Sequence, residues 1–157
     1  MNRETENAFT GTALACSCER MGDICLAGER LQEAERYHRE GLELRRQLWE
    51  EARSLEAKRF LAVSCEKMAQ VYGRTARADE ALECYEESLE LFQQLAQEAG
   101  TAESHDDLAS IYYEISLLLP TRTGRRMRKE ACRIWERLAQ ACPDVPQYAY
   151  KLRMARK

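Results

Sequence analysis

Proline and glycine are scarce in this chain, 3 and 7 of 157 residues, so few positions interrupt a helix and most of the remainder favour one. No run approaches the roughly 18 consecutive apolar residues a membrane span needs, the densest being Ile115 to Leu119. The start, Met1-Asn2-Arg3-Glu4-Thr5-Glu6, has no apolar stretch or small-residue cleavage site and does not read as a secretory signal. A cytoplasmic location is the expectation. Only two histidines occur, His38 and His105, which leaves little for metal or acid–base chemistry. Seven cysteines are an odd number whose spacing follows the chain's own periodicity, so they read as small buried hydrophobes. Cys16-Ser17-Cys18 with Cys25 resembles a metal pattern, but residues two apart on a helix face different ways and no histidine stands near.

What the chain does have is charge and repetition. Leu14-Ala15-Cys16-Ser17-Cys18-Glu19-Arg20-Met21-Gly22 returns 47 residues later as Leu61-Ala62-Val63-Ser64-Cys65-Glu66-Lys67-Met68-Ala69, with six of nine positions identical. The same offset carries Leu42-Glu43-Leu44 onto Leu89-Glu90-Leu91 and Leu61-Ala62 onto Leu108-Ala109. A second register, offset 40, would instead align Leu108-Ala109 and Tyr112 with Met68-Ala69 and Tyr72, but it loses the segment before them. Within each copy apolar and small residues recur at three- and four-residue spacing, first through Leu14, Cys18, Met21 and Cys25, then through Leu31, Ala34, Leu42 and Leu48, which predicts a helix pair. Gly28, the Ala76 to Asp79 region and the Pro120 to Arg126 segment are the predicted breaks between paired helices. Ser54 and Thr101 are predicted N-caps, and Gly100 a helix stop. In the third copy the small residue expected at Arg128 is found at Ala131, so an insertion is placed in the loop Pro120-Thr121-Arg122-Thr123-Gly124. The tail from Asp144 reads as a last helix with Asp144 at its N-cap, Pro146 in its first turn and Val145, Tyr148 and Leu152 on one side.

These residues resemble the tetratricopeptide repeat. Cys65, Met68-Ala69, Tyr72, Ala81 and Tyr85 fit its signature best; Cys18, Met21-Gly22, Cys25, Ala34 and His38 fit in the first copy, and Tyr112, Ile115-Ser116, Leu119, Ala131, Trp135 and Pro143 in the third. Arg46 and Gln93 stand where the family's helix-stopping proline belongs, so the second helices should run on into longer repeats. The expected architecture is all-α: a right-handed α-solenoid of three antiparallel helix pairs, about 8–54, 55–100 and 101–143, closed by a capping helix over 144–157 in a single domain. The resemblance implies close helix packing at Gly22, Ala34, Ala69, Ala81 and Ala131. It also implies a concave face lined by Glu19, Asp23, Glu66, Gln70, Arg74, Ser110, Tyr113 and Leu117. The basic clamp by which some members hold the carboxylate end of a peptide has no counterpart there, so a basic or amphipathic protein segment suits that face better.

Charge is divided unevenly, with 13 Lys+Arg against 24 Asp+Glu in residues 1–119 and 11 against 3 in residues 120–157. Arg122, Arg125, Arg126, Arg128, Lys129, Arg133 and Arg137 form one basic segment. Two roles follow for it: self-association or partner docking against the acidic part, or, second, contact with nucleic-acid phosphates. His38 occupies a packing position, and His105-Asp106-Asp107 lies at a helix start, where acids are commonplace. No catalytic set, metal site or cofactor motif is predicted. The functional expectation is a non-enzymatic protein-binding scaffold, with a nucleic-acid-binding or self-associating protein as the alternative.

Overall fold

The computed structural model describes residues 3–157; Met1 and Asn2, the first residues of the stretch read as lacking a signal, lie outside them. Seven helices follow one another among the described residues: α1 (Arg3–Ala27), α2 (Leu31–Ala52), α3 (Leu55–Arg74), α4 (Ala78–Ala99), α5 (Ala102–Leu118), α6 (Arg122–Ala141) and α7 (Pro146–Ala155). The fold is all-α. It divides into two compact units, residues 1–88 and 89–157, with the break inside α4.

The period of 47 is written into the backbone as well as the side chains. Glu29 (φ 59°) and Ala76 (φ 58°) are one such pair of left-handed residues, and Arg53 (φ 48°) and Gly100 (φ 61°) are another. Each sits at a helix end, where the αL conformation turns the chain and lets the last carbonyls find donors, as in Arg30 N–H to Cys25 O (2.8 Å) and Arg77 N–H to Tyr72 O (2.9 Å). Only Gly100 takes that conformation without a Cβ penalty. The following helices begin where the sequence places them: Ser54 Oγ accepts from Ala57 N–H (3.1 Å), and Thr101 forms a reciprocal capping box with Ser104.

In unit 1 the core runs through Ala15, Cys18, Cys25, Ala34, Leu61, Ala62, Cys65, Met68, Ala69, Val71, Ala81 and Tyr85, all buried. Small residues let the backbones approach: Ser88 Oγ on α4 reaches the Ala62 carbonyl of α3 at 2.9 Å. In unit 2 Ala109, Ala131, Trp135, Leu138, Leu152 and Ala155 join α5, α6 and α7. Tyr113 meets Trp135 edge to face, with ring centroids 5.8 Å apart.

The third repeat departs from the expected loop. Arg122, Thr123 and Gly124 are helical, and only Leu119, Pro120 and Thr121 separate α5 from α6. Ala34 and Ala81 are each the fourth residue of their helices, whereas Ala131 is the tenth of α6. The added residues therefore extend α6 at its start, and α5 is correspondingly short, 17 residues against 20 in α3. Close packing there depends on Gly124, as an added Cβ would lie 1.7 Å from the Leu119 carbonyl oxygen. The last helix also starts later than expected: Val145 is the N-cap of α7 and Pro146 its first residue, so Asp144 lies outside the cap.

Candidate functional site

The face of α1 and α3 in unit 1 is organised by charge. Glu19, expected to face a ligand, has its carboxylate bound bidentately by Arg45 of α2 (2.8 Å to each oxygen) and by Ser64 Oγ of α3 (2.7 Å). Arg45 is 2% exposed and lies over the Phe60 ring at 4.4 Å. Such a buried cation demands a carboxylate, so Glu19 serves as the link between three helices. Next along α1, Asp23 receives Lys67 Nζ of α3 at 3.0 Å, and in the turn after α1 Glu29 receives Arg74 of α3 at 2.5 Å. Gln70 donates to Glu66 along α3 (3.2 Å). The residues read as an acidic lining are thus interleaved with Lys67 and Arg74, and the face carries both signs.

His38 of α2 lies beneath this face, 2% exposed. Its Nε2 makes no hydrogen bond, while Asp23 Oδ1 stands at 3.5 Å, close enough for an ion pair if the ring is charged but not aligned as an acceptor. Burial pushes the imidazole below its ordinary value and Lys67 pushes the same way, against the pull of Asp23 and Glu19. Gly22 makes room for the ring, since a Cβ there would come within 2.6 Å of Nε2. Ala34, Ala69, Ala81 and Ala131 have no exposed surface.

In unit 2 the α5 residues named from the resemblance have separate fates. Tyr113 packs on the α6 core and Leu117 is 54% exposed. Ser110 Oγ donates to the Asp106 carbonyl (2.9 Å). Asp106, which the sequence offers only as a helix-start acid, accepts from Trp135 Nε1 (2.7 Å) and from Lys151 Nζ (2.8 and 2.7 Å), pinning α5, α6 and α7 together. Nothing in local spacing announces that role, because its partners lie 29 and 45 residues away.

The basic segment lies wholly on α6. Arg122, Arg125, Arg126, Lys129, Arg133 and Arg137 are exposed, while Arg128 is half-buried with its guanidinium 5.8 Å from the Tyr113 ring centre. Arg122, Arg126 and Thr123 of α6 also line a cleft with Leu89 and Gln93 of α4 and Tyr112 of α5, where Gln93 donates to the Tyr112 hydroxyl (3.0 Å). Burial raises the thiols of Cys18, Cys65, Cys84 and Cys132, which keeps them protonated and weakly nucleophilic. Among the described residues no three His, Cys, Asp or Glu side chains are placed to hold a metal ion, and no helix is long and apolar enough to cross a membrane.

Helix pairs of fixed period packed through small residues define a helical-repeat protein. Residues 60–116 match the family model of the tetratricopeptide repeat. That stretch, from within α3 to near the end of α5, is similar to the tetratricopeptide repeat. No curated protein matches it. Among solved structures, the crystal structure of MamA protein aligns at 10% identity over 90% of this chain and 80% of that one, with a TM-score of 0.31.

Proposed function

We propose that the chain is a non-enzymatic binding module that takes a protein or peptide segment onto the α1 and α3 face of unit 1. The observation that carries this reading is the strip of Glu66, Gln70 and Arg74 on α3 beside Asp23 and Lys67, where hydrogen-bonding groups of both signs are held in fixed positions by cross-helix ion pairs. Preorganised polar groups of this kind suit a segment that brings its own amides and mixed charge, because little side-chain order remains to be lost on binding. The protonated cysteines and the enclosed His38 support a role without catalysis. Glu19 is excluded from the contact set by its tie to Arg45.

The test is affinity capture from a cell lysate with the wild-type chain and with a Glu66→Lys/Gln70→Arg variant, each checked for folding by circular dichroism. A specific protein recovered by the wild type and lost by the variant supports the reading. Equal recovery by both overturns the assignment of this face.

A further inference from the structure

We propose that two copies of this chain associate through complementary charged stripes, with the acidic stripe of α4 in one copy lying against the basic stripe of α6 in the other. The stripes arise from the helix period. α4 carries seven acidic residues and no basic one. Asp79, Glu83, Glu86 and Glu90, spaced by four, three and four residues, fall within an arc of about 60°. All four are exposed. On α6, Arg122, Arg126, Lys129 and Arg133 repeat the same four, three, four spacing in the opposite sign and are also exposed.

These stripes have little to do inside the chain. Among the described residues none of the four carboxylates has an ion-pair partner, and of the four cations only Arg133 has one, Glu130 at 3.4 Å. Elsewhere the protein pairs its charges: Arg45 with Glu19, Arg46 with Glu87, Lys67 with Asp23, Arg74 with Glu29 and Lys151 with Asp106. α6 also places Arg122, Arg125 and Arg126 in its first turns with no acidic residue there, against the preference of a helix start for negative charge. A carboxylate row brought from outside relieves that repulsion.

Charge complementarity points to a second copy as the occupant. Four, three, four reads the same in either direction, so the two stripes match whether the helices run parallel or antiparallel. In unit 2, Leu89 and Gln93 of α4 and Arg122 and Arg126 of α6 border one cleft. A second copy of this chain carries both rows, so each row finds its opposite in another copy.

Sedimentation velocity tests this on the full chain. The wild type should associate in about 20 mM salt and dissociate in about 500 mM, because exposed charges are screened beyond a shrinking Debye length. Glu83→Lys/Glu86→Lys/Glu90→Lys should be monomeric at low salt, as should Arg126→Glu/Lys129→Glu/Arg133→Glu. Asp79 is left in place because it stabilises the first turn of α4. An equimolar mixture of the two variants should associate again, and a chain carrying all six changes should self-associate like the wild type. That rescue also answers any loss caused by misfolding in one variant. A wild type that is monomeric at low salt overturns the proposal, and so does association that survives either triple reversal. Retention of a monomeric wild type on an oligonucleotide through α6 would assign the basic stripe to phosphate instead.

Discussion

Gly124 shows how a single residue carries a helix crossing. In an ordinary helix interior glycine is a poor choice, and alanine is favoured by up to about 1 kcal/mol. Here a methyl would lie 1.7 Å from the Leu119 carbonyl oxygen and 3.2 Å from that of Ser116, both backbone atoms that cannot step aside. Gly124→Ala should therefore destabilise the protein by about 3 kcal/mol. Gly73, near the end of α3, has nothing within 4 Å of its would-be Cβ, and Gly73→Ala should be neutral or stabilise by up to about 1 kcal/mol. Opposite signs in urea denaturation would verify the contrast; equal effects would refute the tight crossing. The sequence shows both glycines plainly, yet only the approach of another segment separates them. Gly124 read as part of a loop because it follows Pro120 and Thr121, whereas the helix begins at Arg122.

At the scale of the element, the helix pairs were legible because their periodicity is local, and so were the starts at Ser54 and Thr101 and the stop at Gly100. Each of those caps acts within about one turn of its own sequence position. The roles of polar residues on helix faces were not legible. Glu19 and Glu66 occupy equivalent places in successive copies, but Glu19 faces a buried arginine and Glu66 does not, since position 45 is Arg and its equivalent, position 92, is Phe. A Glu19→Gln change leaves Arg45, which is 2% exposed, without its charge partner. It should cost roughly 2–4 kcal/mol. Thermal unfolding should show a lowered transition, and a Glu19→Gln protein as stable as the wild type would return Glu19 to the candidate binding surface.

For the molecule as a whole, pH sensitivity follows from His38. Burial, joined by Lys67, holds its folded-state pKa below the ordinary value of about 6.5 that the unfolded chain retains. Below about pH 6.5 the unfolded state binds a proton that the folded state does not yet accept, so the stabilising contribution is complete above that pH and declines as pH falls toward the folded pKa. Urea midpoints compared at about pH 7.5 and about pH 5.5 should fall for the wild type and fall less for His38→Gln. An identical decline in the two proteins would remove His38 as the cause. The uneven charge of the chain also acts at this scale, but its effect depends on where the charges stand. Seven acids on α4 become one stripe with three others off it, and only a helix makes that separation.

The sequence by itself determined the all-α class, the period of 47 residues, the small packing positions and the division of charge, because each rests on spacing along the chain. Tertiary structure alone decided which charges are spent inside the fold. Arg45 claims Glu19, Lys67 claims Asp23, and Asp106 answers both Trp135 and Lys151, while the stripes on α4 and α6 stay open. Partners 26 to 45 residues apart meet only when helices pack, and burial then sets whether a charge is a structural tie or a surface free to bind.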